Sequence, residues 1–72
     1  MKIEIEYCGA CGYEPSARAA RDTILKERPD AEVVLVKSGG GVFEITVDGE
    51  VKYSKKATGV FPTKEQVKAC LA

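Results

Sequence analysis

The strongest constraint on this chain is a change of hydrophobic period within its first half. Residues 2–7 alternate, with Ile3, Ile5 and Tyr7 on one side and Lys2, Glu4 and Glu6 on the other. A period of two places successive side chains on opposite faces of a half-buried strand. The period then lengthens, and Ala17, Ala20, Ile24 and Leu25 share one face at helical spacing. Arg18 with Asp22, and Asp22 with Lys26, stand four apart as opposite charges on the exposed side of that helix. Pro15 suits the first turn, where its missing N–H would have no partner. Pro29 disfavours a helical Arg28 and ends the segment. Val33-Val34-Leu35-Val36 follows, β-branched and almost continuous. Such a run is expected of a strand covered on both faces or lying beside a parallel neighbour. Strand, helix and strand make a βαβ unit, whose crossover should be right-handed.

The second half extends that unit. "KSGGG" (37–41) breaks the pattern, and residues 42–47 then alternate with Phe43, Ile45 and Val47 facing one way. Asp48-Gly49 predicts a two-residue hairpin turn, because type I′ needs positive φ at both positions. Val51 and Tyr53 are then expected on one face of the returning strand. Thr63 predicts the cap of a last helix, with Gln66 three residues on to complete a capping box. Its apolar face is Val67, Cys70 and Leu71. The expected architecture is α/β in a two-layer α+β arrangement, β-α-β-β-β-α. A four-stranded mixed sheet carries both helices on one face. Lys2, Glu4, Glu6, Glu44, Thr46, Lys52 and Ser54 are expected on its outer face. The 72 residues form one domain, 1–72, with room for one modest core.

Charge narrows the partners. Eleven basic and eleven acidic side chains cancel, and no basic stripe extends beyond Lys55-Lys56. Nucleic acid and anionic membrane therefore have no electrostatic footprint. "MKIEIE" alternates charge with apolar residues, unlike a signal peptide's apolar region. The aliphatic run 33–36 is far too short to span a bilayer. The expectation is a cytoplasmic protein, in a compartment that keeps thiols reduced.

In "YCGACGY" (7–13), Cys8 and Cys11 stand at C-x-x-C spacing between the first strand's carboxyl end and the first helix's N-terminus. A helix N-terminus favours thiolate, the form that attacks disulfides. Two intervening residues let the second sulfur resolve a mixed disulfide. Gly9 and Ala10 leave the sulfurs uncrowded, and Gly12 permits a sharp turn into the helix. A bridge across so small a loop removes little unfolded-state entropy, which argues against a purely structural role. A structural zinc site or an iron–sulfur cluster wants four ligands, and the chain has three cysteines and no histidine. Cys70 lies on an apolar stripe and reads as a small buried hydrophobe. Without histidine there is also no Cys-His pair and no imidazole base.

Cys8 and Cys11 are thus the candidate catalytic residues, and neither metal nor organic cofactor is expected. Tyr13 either shields the sulfurs or packs the start of the helix. Gly39, Gly40, Gly41 and Val42 read as a mobile connection near the thiols. That run lacks the P-loop lysine spacing and leads into a strand. Together with Tyr13 these four are the candidate substrate-docking residues, for a protein or peptide held by backbone contacts. A reading from another class is a non-catalytic binding module, whose thiols regulate docking or share a zinc in a dimer.

The stretches "YCGACGYEP" and "GGGVFEITVDGEVKYSKKATGVFP" resemble the selenoprotein W-like, or Rdx, family across essentially the whole chain. The resemblance implies a thioredoxin-like fold and a cytosolic thiol or selenol oxidoreductase linked to redox homeostasis and glutathione. The reading of the pair is a cycle between dithiol and disulfide at Cys8 and Cys11 that reduces a peroxide, a glutathione mixed disulfide or a protein disulfide. Many members carry selenocysteine at the second redox position, here Cys11, so the chain is similar to a sulfur-only member. The resemblance points to attack by Cys11, with Cys8 resolving. Thioredoxins also place a cis-proline opposite their active site. The corresponding stretch here, Ser38-Gly39-Gly40-Gly41-Val42, has no proline.

Overall fold

Parallel pairing between the first two strands organises the molecule, whose computed structural model describes residues 1–72. Strand β1 (Lys2–Cys8) runs parallel to β2 (Glu32–Ser38), and helix α1 (Glu14–Glu27) makes the crossover between them. On its other side β1 pairs antiparallel with β3 (Phe43–Val47), which pairs antiparallel with β4 (Glu50–Ser54). The sheet order is β2-β1-β3-β4. A short helix α2 (Lys55–Thr58) follows β4, and α3 (Lys64–Ala69) closes the chain.

The register explains the core. Ile3 lies between Val33 and Val47, and Ile5 between Leu35 and Ile45. One sheet face is therefore continuously apolar, and Ala17, Ala20 and Ile24 of α1 pack on it with Val67, Cys70 and Leu71. Ile3, Ile5, Ile24 and Ile45 have no exposed surface. Both long-range helices lie on this one face, as the hydrophobic pattern predicts. Local signals hold as well. The hydroxyl of Thr63 accepts from the Gln66 amide at 3.2 Å while the Gln66 side chain accepts from the Thr63 amide at 2.9 Å. Asp48 and Gly49 take φ of 49° and 85° in the β3–β4 turn.

Of the two alternatives for the 33–36 run the parallel neighbour holds, and three other expectations are corrected. Strand β2 is a sheet edge and is not covered on both faces, since Val34 and Val36 are each 37 % exposed. Its continuous apolar run reflects the parallel neighbour alone. Val51 and Tyr53 do not share a face. Ile45 opposes Tyr53 but Thr46 opposes Val51, so Lys52 is an extra residue in a β-bulge. One inserted residue sends everything beyond it to the other face, leaving Tyr53 buried and Val51 exposed. The helix α2 is an addition to the expected order. Ser54 caps it by accepting from the Ala57 amide, and Gly59 ends it at φ 80°. On α1, Arg18 pairs with Glu14 at 2.6 Å and Arg21 with Asp22 at 3.4 Å. A carboxylate four residues before its cation, in the first helical turn, is the better orientation for side chains and helix dipole alike. No helix is long and apolar enough to cross a membrane.

Candidate functional site

The site begins where β1 leaves the sheet. Cys8 is still part of the strand, its amide donating to the Val42 carbonyl at 2.9 Å, and it is 1 % exposed. The next residues form a tight turn. Gly9 donates to the Ser38 carbonyl at 2.9 Å, Gly12 to the Gly9 carbonyl at 3.1 Å, and Tyr13 to the Cys8 carbonyl at 3.2 Å. Gly12, at φ 77°, swings the chain into α1, which is the conformational freedom its position demands. Cys8 and Cys11 are joined in a disulfide with their Cα atoms 5.3 Å apart, an ordinary separation for that bond. The two halves of the pair differ sharply in setting. Cys11 is exposed on the turn, whereas Cys8 is sealed at the floor of the sheet.

Two groups lie against the turn that carries the pair. The amide that reaches a sulfur is that of Cys11, which donates to Cys8 Sγ at 3.2 Å. The donor thus belongs to the turn and not to the first turn of α1, where the helix argument looked for it. Glu14, at that helix start, is already bound by the Arg18 guanidinium. The second group is Lys37. A Cβ built on Gly9 would collide with Cγ and Cε of Lys37, so the lysine stem lies flat across the turn between the cysteines. Gly9 permits this close approach, and the ammonium sits one bond beyond the Cε that lies against it.

The structure brings the glycine-rich stretch to the thiols. Ser38 and Val42, which bracket Gly39, Gly40 and Gly41, are the residues whose carbonyls hold the Gly9 and Cys8 amides. Gly40 and Gly41 take φ of 70° and 72°. Of the two readings for Tyr13, packing at the helix start is what the structure shows. Its ring meets Phe61 edge-on at 4.8 Å, and Phe61 meets Phe43 at 5.2 Å. Lys55 Nζ stands 5.4 Å from the centres of both the Tyr13 and Phe61 rings. Cys70 lies in the core, its thiol donating to the Gln66 carbonyl at 3.3 Å, and burial pushes that thiol's pKa up. Nowhere do three or more His, Cys, Asp or Glu side chains gather as a metal site.

Sequence reasoning missed Lys37, Lys55 and Phe61. Phe61 sits in no periodic run, so its only signal is an aromatic residue immediately before Pro62. Lys37 carries no local signal, because its contact with Gly9 crosses from one strand to the end of another.

With this geometry in place, comparison with known proteins is informative. The model of the Rdx family matches residues 2–72. The chain is 30 % identical over 67 residues to migration and invasion enhancer 1 of Bos taurus, and 32 % identical to that of Mus musculus. Each alignment covers 93 % of this chain and 58 % of the relative, so the chain spans less than two thirds of those proteins. A crystal structure of a Bordetella parapertussis protein superposes with a TM-score of 0.91 at 30 % identity, covering 97 % of this chain and 91 % of that one. A selenoprotein W-related protein from Vibrio cholerae also gives 0.91, at 28 % identity, with coverages of 97 % and 90 %. The fold is that of selenoprotein W-like proteins, consistent with a thioredoxin-like architecture. Sequence match, fold and paired cysteines together support a redox-type role.

Proposed function

Because the chain belongs to the Rdx family, we propose that it is a small thiol–disulfide oxidoreductase in which Cys11 exchanges with substrate and Cys8 resolves. The observation that carries this reading is the asymmetry of the pair, with one cysteine exposed and the other 1 % exposed. An incoming sulfur must approach along the S–S axis, and access decides which sulfur is attacked. Only Cys11 offers that approach.

The reductive half-cycle follows from the same geometry. The Cys11 thiolate attacks a substrate disulfide, forming a Cys11–substrate bond and releasing one substrate thiolate. The Cys8 thiolate then attacks Cys11 Sγ, closing the internal disulfide and releasing the second. One disulfide is reduced to two thiols as the protein's dithiol is oxidised. In the other half-cycle a reductant thiolate attacks Cys11 Sγ and Cys8 leaves as thiolate. The Cys11 amide, 3.2 Å from Cys8 Sγ, stabilises the leaving charge, and the Lys37 cation over the turn adds to that effect. A second reductant thiolate then takes the first from Cys11, forming the reductant's disulfide and freeing the Cys11 thiolate. The order of attack is the reverse of that in thioredoxins proper. Protein disulfides and glutathione mixed disulfides are the substrates that suit it, in a compartment with a reducing thiol pool.

Alkylation mass shifts across a glutathione or dithiothreitol gradient test the reading. A reversible two-electron transition between about −180 and −300 mV supports it. Absence of a reversible Cys8–Cys11 transition overturns it.

A further inference from the structure

We infer that the surface near Cys11, centred on Phe61 and edged by Lys55 and Lys64, with Lys56 next to Lys55 in α2, docks an acidic segment of a client protein that carries an apolar anchor. The inference rests on the exchange reading above and names the class of protein disulfide that the site selects.

The centre of this surface is apolar and open. Val60 and Phe61, in the connection between α2 and α3, are 58 % and 38 % exposed. Phe61 is fixed on one side by Tyr13 and Phe43. It also borders a cleft of about 200 Å³ whose walls include Ala20, Phe43, Pro62 and Val67. Lys64 is the only charged side chain in that lining. Such a pocket takes one aliphatic or aromatic side chain.

The lysines at its edge are free of ion pairs. The chain's ion pairs are Arg18–Glu14, Arg21–Asp22, Lys52–Glu50 and Lys68–Glu27. Lys55, Lys56 and Lys64 take part in none of them. Lys55 is held above the Tyr13 and Phe61 rings, which fixes a cation at the patch without neutralising it. Glu14, the acid that follows Tyr13, is occupied by Arg18. An apolar centre beside cations that hold no ion pair favours a partner of the opposite sign with an apolar anchor of its own.

Position ties the patch to the chemistry. Tyr13, two residues after Cys11, touches Phe61 directly. Two residues span at most about 7 Å of backbone and the Tyr13 ring bridges the rest of the way, so a client segment anchored at Phe61 can present a cysteine a few residues along to Cys11.

The test compares two disulfide-bonded peptides of equal length, one with Glu and Leu beside its cysteine and one with Lys and Leu. Each reacts with the reduced full chain, and a small neutral disulfide serves as standard. The acidic peptide is expected to react about tenfold faster than the basic one at low salt, with the ratio shrinking as salt rises. Combined K55E, K56E and K64E substitution is expected to invert that ratio, a change that loss of structure alone would not produce. Equal rates for the two peptides, while the neutral disulfide reacts normally, overturn the inference and leave the exchange reading standing. No reaction with the neutral disulfide overturns both. Sedimentation showing a wild-type dimer that the triple substitution dissolves assigns the patch to a second copy and also overturns the inference.

Discussion

The turn at Asp48-Gly49 and the turn from Gly9 to Gly12 lie at opposite ends of β1 and use the same backbone device to opposite ends. Both rely on positive φ, at 49° and 85° in the first and at 77° on Gly12 in the second. At the first, everything is spent on closure. Asp48 donates its amide to the Lys2 carbonyl at 2.8 Å and accepts the Lys2 amide on its carboxylate at 2.8 Å. At the second, the carbonyls of Ser38 and Val42 hold the turn in place and leave Cys11 free at the surface. The difference comes from strand direction. An antiparallel hairpin needs two residues to reverse, whereas a parallel pair needs a crossover. The crossover sets a loop and a helix start at the carboxyl ends of the strands, where open α/β sheets place their sites.

The largest effect that would sharpen this contrast is that of Cys11→Ser. Peptide-disulfide turnover should fall at least about 100-fold, the loss of an essential nucleophile. The thermal midpoint, followed by circular dichroism under reductant, should stay close to that of the reduced wild type. Retained turnover would erase the distinction between the two turns.

A matched pair of glycine substitutions gives an intermediate effect. Gly12→Ala and Gly49→Ala each force a side chain into the left-handed region, at about 1–2 kcal/mol, measurable by denaturant unfolding. Only Gly12→Ala should also move the midpoint potential of the disulfide. Equal potential shifts in both variants would break the comparison.

The smallest effect concerns Cys70, which belongs to neither turn. Its thiol pKa is raised by burial in the folded protein, so above about pH 8.5 the unfolded state loses a proton that the folded state keeps. Stability should therefore decline as pH rises from that value. Cys70→Ala should flatten this slope in unfolding titrations, without altering exchange through Cys11.

What could be read from the sequence was what is decided locally. The alternation of β1, the capping box at Thr63 and the Asp48-Gly49 turn each depend on residues a few positions apart, and each formed as expected. The bulge at Lys52 could not be read, because "EVKYS" alternates regularly and the insertion exists only relative to β3. Exposure of Val34 and Val36 likewise depends on what the fold leaves uncovered. Helix α2 did have local marks, Ser54 before it and Gly59 after it. They were masked by the strand pattern running into them. At the site, spacing and context singled out Cys8 and Cys11, the pair that the disulfide joins. Their difference in burial turns on a single residue. The alternation ends β1 at Tyr7, whereas the strand continues through Cys8, which is buried while Cys11 lies on the exposed turn.

The division of labour within the pair is the central claim, and trapping tests it most directly. Cys8→Ser and Cys11→Ser, each combined with Cys70→Ala, would be incubated with a peptide disulfide and read by intact mass. The account predicts a lasting peptide adduct on Cys11 in the Cys8→Ser protein and none on Cys8 in the Cys11→Ser protein. An adduct that accumulates on Cys8 while Cys11 stays free would contradict it.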